Sequence, residues 1–319
     1  MAGKLALVLS GGGAKGAFQV GVLDELITSK GVAFDIVVGV STGSLQAVGV
    51  AQGDVPGLVR EWQAIRKNSD IYKKRLLGAA GGFFGADAIY DASPLRRILD
   101  RFTDEAKLRA SGIKLLLGVA NLGTGEFRTI DETAQRIAAW AYASCAMPVF
   151  FDPLVGDNAG VREQYVDGGV RNVTPLSAAL DQKPRAVLVV RASPRPQPGP
   201  DRIFPDLIRI GLRAVDILQS EVSLNDIDGA SMINDLIAAR AAQAQALAAA
   251  GVTGATAAGI LKPLDDQIAH YHFAPIALIE PEVEYSSTLE FDPVKIAAAI
   301  EGGRKAARDA FPALQALLQ

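Results

Sequence analysis

Leu5–Leu9, Ile36–Val40 and Ala186–Arg191 are short apolar runs closed by glycine or polar residues, the pattern of strands buried on both faces of a parallel sheet. Between the first two, Phe18, Val22, Leu23, Leu26 and Ile27 form the apolar stripe of a helix. Leu45–Ala51 reads as a second helix closed by Gly53, and Val55–Lys67 as an amphipathic third. Asp91–Phe102 predicts a helix with Ser93 as N-cap and Pro94 at its first position. Lys114–Asn121 and Glu126–Ile130 predict a hairpin, Thr133–Ser144 a helix, and Gln164–Val166 a short strand. After the proline-rich stretch Pro194–Pro205, Phe204–Ala250 reads as helix in two or more segments broken near Asn225–Gly229. Ile276–Ile279 returns one strand, and Pro293–Leu318 closes as a helix.

Strands that alternate with helices predict an α/β fold with a mainly parallel central sheet. The proline-rich loop is the best boundary, dividing a core over 1–202 from a mainly helical part over 203–319 packed on it.

Composition narrows the classes. Hydrophobic residues make up 49% and charged residues 21% of the 319, an ordinary globular balance. A net charge of −3 gives no reason to expect nucleic acid as a partner. The single cysteine, Cys145, excludes an internal disulfide and a cysteine-based zinc cage. Leu5–Leu9 is too short for a signal-peptide core, and no stretch reaches the roughly 20 apolar residues of a membrane span. The expectation is a cytoplasmic protein with at most peripheral membrane contact.

The chemistry gathers at turns. In Gly39-Val40-Ser41-Thr42-Gly43 a strand turns abruptly into a helix, which holds a serine hydroxyl clear of the sheet at a helix N-terminus. Gly39 and Gly43 remove the clashes such a turn creates. Gly11-Gly12-Gly13-Ala14-Lys15-Gly16 fits a dinucleotide fingerprint, but Asp35 lies at the start of the second strand rather than its end. The other reading is an oxyanion hole, with backbone N–H groups of this turn facing a tetrahedral intermediate and Lys15 adding positive charge.

A serine nucleophile needs a base. His270 and His272 would complete a Ser-Asp-His triad in chain order, but no glycine turn presents either imidazole. Asp167 is the better candidate. Gly168 and Gly169 let its backbone approach a neighbour, and partial burial would bring its pKa towards the working range.

The four segments GGGAKG, GVSTG, ASCAMPVFF (143–151) and DGGVRNVTP (167–175) occur in the order found in patatin-like phospholipases, which the chain resembles over roughly residues 4–192. The resemblance implies a three-layer α/β/α fold and hydrolysis of lipid acyl esters by a Ser–Asp dyad, without metal or cofactor. It places Ser41 as nucleophile, Asp167 as general base, and Gly11, Gly12 and Gly13 in the oxyanion hole. An acyltransferase using the same dyad remains the adjacent alternative, and a nucleotide-binding Rossmann protein the remote one. Phospholipid is the expected partner. Asn68–Tyr90 is read as a loop whose Lys73, Lys74 and Arg75 meet lipid phosphate while Phe83 and Phe84 enter the acyl layer.

Overall fold

The computed structural model describes residues 3–75, 87–158, 161–196 and 203–318. In chain order the elements begin with β1 (Leu5–Leu9), α1 (Ala17–Leu23), β2 (Ile36–Val40), α2 (Thr42–Ala51), α3 (Val55–Ala64), β3 (Lys73–Lys74) and β4 (Tyr90–Asp91). They continue with α4 (Ser93–Phe102), α5 (Glu105–Ala110), β5 (Lys114–Asn121), β6 (Phe127–Asp131), α6 (Ile137–Cys145), β7 (Leu154–Asn158) and β8 (Val161–Asp167). The last are α7 (Leu176–Leu180), β9 (Ala186–Val190), α8 (Leu207–Ala249), α9 (Gly254–Ile268), β10 (Ile276–Ile279) and α10 (Pro293–Leu318).

β10, β9, β1, β2 and β5 run parallel and in that order. Period-two alternation sends their side chains to two cores. Leu5, Leu7, Leu9, Val37, Leu117 and Val190 face one core, shared with Phe18 and Leu23 of α1, Val48 of α2 and Ile300 of α10. Ala6, Val8, Ile36, Val38 and Val189 face the other, closed by Leu176 of α7 and Ile227 of α8. Helices therefore cover both faces, which makes the fold a three-layer α/β/α sandwich. β10 and α10 build the same sheet and core as the N-terminal strands.

The far end of the sheet positions the chemistry. Leu116, Leu117 and Gly118 pair with both β2 and β6, so those two strands lie on opposite edges of β5. Val119 and Ala120 pair with both β6 and β8. β2 and β8 thus occupy the same edge of β5, one beginning where the other stops. Val40 pairs with Gly118 and Asp167 with Val119, which brings the end of β8 against the turn that follows β2.

Several expectations change. The helix over 207–249 is continuous through Asn225–Gly229, because Ser223, Ile227 and Ala230 are buried against the sheet layer and hold that stretch in place. Gly229 faces open space, so its only cost is propensity, about 1 kcal/mol relative to alanine. Ser93 is not the cap of α4: Asp91 accepts from both its N–H and its hydroxyl at 2.9 Å. The helix expected from Thr133 begins at Ile137, since Thr133 is held in a turn by Asp131. The strand expected at Gln164–Val166 is the end of a full hairpin, β7–β8.

Lys73 and Lys74 are exposed in a two-residue ribbon with β4, and Arg75 is ion-paired to Asp152 at 2.6 Å. Phe83 and Phe84 lie outside the described residues. Among those residues, no helix is long and apolar enough to cross a membrane.

Candidate active site

β2 runs straight into α2, and the residue at the junction takes the whole change of direction. Ser41 has φ 55° and ψ −129°, a left-handed conformation that costs a non-glycine residue about 1–3 kcal/mol and persists only where its surroundings enforce it. The surroundings are explicit. Ser41 N–H donates to Ser144 Oγ at 2.9 Å, and the Ser144 hydroxyl donates to the Gly118 carbonyl at 2.6 Å. The Ser44 hydroxyl donates to the Ser41 carbonyl at 2.6 Å. Gly43 is packed against β1 so closely that a Cβ would lie 2.3 Å from the Leu9 carbonyl oxygen, while Gly39 backs onto Gly43.

Asp167 ends β8 and is 2% exposed. Its N–H donates to the Ala146 carbonyl at 3.0 Å, and Oδ1 accepts from Gly169 N–H at 2.7 Å. Gly168 comes so near β5 that a Cβ would lie 2.6 Å from the Gly118 carbonyl oxygen. Burial raises the carboxyl pKa to about 6, even though hydrogen bonds from the Ser41 hydroxyl and Gly169 N–H pull it down. The carboxyl therefore shares the serine's cavity with a proton affinity suited to exchange near neutral pH.

The segment Ala143–Pro148, read in the sequence only as a resemblance, has a mechanical role. Ser144 props the serine turn and Ala146 props the aspartate, so one stretch sets both groups. A buried amide network was not expected either. Gln19 donates to the Ser10 and Val190 carbonyls, and Gln46 to the Gly16 carbonyl, which ties the glycine turn to β9 and α2.

The three glycines of that turn are not equivalent. Gly11 N–H donates to the Val173 carbonyl at 3.0 Å, so it is not free for an oxyanion. Its contribution is space, since a Cβ there would lie 3.2 Å from Ser41 Cβ. The N–H groups of Gly12 and Gly13 have no acceptor among the described residues. Gly13 has φ 58°, and a Cβ would strike the Thr288 carbonyl, which accepts from Ala14 N–H at 2.8 Å. Lys15 does not supply free positive charge: it is buried between Asp216 at 3.4 Å and Glu284 at 3.1 Å. It acts as a tie between the turn, α8 and the segment before α10.

Ser41 and Asp167 open onto a cavity lined by Leu45, Leu58, Trp62, Ile65, Leu95, Leu99, Phe102 and Phe291. Gln219 of α8 and Thr288 also reach it, two C-terminal contributions without any signal in the sequence. The histidines lie elsewhere. His270 and His272 are exposed and precede β10, whose first residue is level with Ile36 at the start of β2. That is the opposite end of the sheet from Ser41, roughly 15 Å away along the strands.

Residues 7–180 match the family model described as patatin-like phospholipase, more than half of the chain. The uncharacterized protein YjjU of Escherichia coli (strain K12) is 26% identical over 196 residues, 60% of this chain and 53% of that protein. A cGAMP-activated phospholipase of Pseudomonas aeruginosa (strain BWHPSA011 / Pa011) is 29% identical over 187 residues, 53% of each chain. The chain thus spans about half the length of these relatives. VipD from Legionella pneumophila, a solved structure, aligns with a TM-score of 0.45 at 15% identity, covering 98% of this chain and 67% of that one.

Proposed function

The chain belongs to the patatin-like phospholipase family, and from that premise we propose that it is a serine acyl hydrolase of lipid esters working through Ser41 and Asp167. The observation that carries the reading is a strained serine at the strand–helix turn sharing one cavity with a fully buried carboxyl whose pKa is raised to about 6. The relative named as a cGAMP-activated phospholipase supports a lipid ester as substrate.

In this mechanism Asp167 accepts the Ser41 proton as Oγ attacks the ester carbonyl. Gly12 and Gly13 N–H groups stabilise the tetrahedral oxyanion, helped by the N-terminus of α2. The intermediate collapses, the leaving oxygen takes the proton from Asp167, and an acyl-serine remains. Asp167 then takes a proton from water as its oxygen attacks the acyl carbon, and returns that proton to Ser41 Oγ as the acid leaves. The apolar cavity holds the acyl chain, each buried methylene contributing about 0.8 kcal/mol.

Ser41→Ala and Asp167→Asn are each expected to lower kcat/KM for a short p-nitrophenyl ester by at least about 10²-fold with the circular dichroism spectrum unchanged. His270→Ala and His272→Ala leave it unchanged. Activity kept in Asp167→Asn and lost in either histidine variant would replace the dyad with a triad.

A further inference from the structure

A second apolar recess adjoins the dyad. It shares Met147 and Gln219 with the acyl cavity. One wall is the segment after α6, with Val149; the floor is Gly169-Val170, directly after Asp167; the other wall is α8, with Leu207, Gly211, Val215 and Leu218. Among the described residues no charged side chain lines it, and Gln219 is the one polar side chain. Val149, Val170, Leu207 and Leu218 are 64%, 54%, 79% and 65% exposed, so the recess is open and its rim is apolar.

We propose that this groove holds the second hydrocarbon chain of a two-chain lipid, and that Gly211 sets the preference for two chains over one. The inference rests on the hydrolase reading. An ester carbonyl held at Ser41 has two arms, the acyl chain and the leaving group. The acyl chain fills the cavity between α2, α3 and α4. The leaving oxygen must face Asp167, which returns the proton to it, and the groove starts two residues beyond that carboxyl. A second chain carried on the leaving group is therefore directed into it. The lining favours hydrocarbon over polypeptide, because a peptide would bring amide groups that these walls cannot satisfy.

Gly211 provides the test, since a Cβ there meets nothing within 4 Å and leucine is a better helix former than glycine. Gly211→Leu fills the groove without touching the dyad. The probes are dioleoyl phosphatidylglycerol and its 1-oleoyl monoacyl form, both in mixed micelles, with p-nitrophenyl butyrate as the chain-free control. Filling the space of several methylenes is expected to lower kcat/KM for the diacyl lipid by about tenfold or more, through KM, while the other two substrates change less than about twofold. Leu218→Gln, at an exposed position, should reproduce the pattern and guards against a folding artefact. Equal change on diacyl and monoacyl lipid, including no change at all, would overturn the proposal and leave the dyad standing. A wild type that hydrolyses none of the three esters would remove the hydrolase reading and this inference together.

Discussion

At Asp167 the burial that suits the carboxyl to its proposed role as base also makes a liability for stability. A carboxyl whose folded pKa lies above its unfolded value folds without penalty while protonated, below about pH 4, and loses stability as pH rises through 6. The shift of about two units corresponds to about 3 kcal/mol at neutral pH. Asp167→Asn should therefore unfold at higher temperature than wild type at pH 8 but not at pH 4, as measured by thermal melts at both. For activity the sign is opposite, because the base must be ionised. With a neutral ester, kcat/KM should rise through one ionisation with a midpoint of about 6. Asp226, a second carboxyl raised to about 6 by burial, lies on α8 against Thr174 N–H, and Asp226→Asn should leave that midpoint in place. A midpoint near 4 would contradict the assignment. Ser41 and Asp167 were legible because glycines frame them. Ser144 was not, since its partner lies 103 positions away and nothing local marks a serine that props another's backbone. Nor could sequence show that Gly11 gives its N–H to Val173.

Among the elements, those that read well bury a uniform surface. β1, β2 and β9 are apolar on both faces and were plain in the sequence. β7 and β8 form a partly exposed edge hairpin whose Val161-Arg162-Glu163-Gln164 start carries no apolar run, so most of it was missed. In α8 the Asn and Gly signals for a break were overridden by burial of Ile227 and Ala230. The crossing of α1 and α10 is a tighter case. A Cβ at Gly21 would lie 1.9 Å from the Ile300 carbonyl oxygen, and one at Gly303 would lie 2.0 Å from that of Phe18. Gly21→Ala must push the helices apart and should cost about 1–3 kcal/mol, read as a lower urea midpoint at unchanged slope. An unshifted midpoint would mean the two helices do not meet through their glycines.

For the whole molecule, the face that carries Ser41 and Asp167 is assembled from segments far apart in the chain. The glycine turn leans on Thr288 and Glu284, the serine turn on Ser144, the aspartate on Ala146, and α8 walls the site through Gln219. The proline-rich stretch suggested a boundary at residue 203 and the apolar run Ile276–Ile279 a strand returning across it; β10 and α10 complete the same sheet and core. Composition marks where a chain is loosely built and says nothing of which later elements return, because strand pairing is decided by long-range register. The proposed function requires Ser41 to be a nucleophile activated within this assembly. A fluorophosphonate probe tests it most directly, since it reacts only with an activated serine and needs no knowledge of the lipid. Covalent label is expected on wild type at pH 8, located on Ser41 by peptide mass, with none on Ser41→Ala and strongly slowed labelling of Asp167→Asn. Unlabelled wild type, or equal labelling of Ser41→Ala, would contradict it.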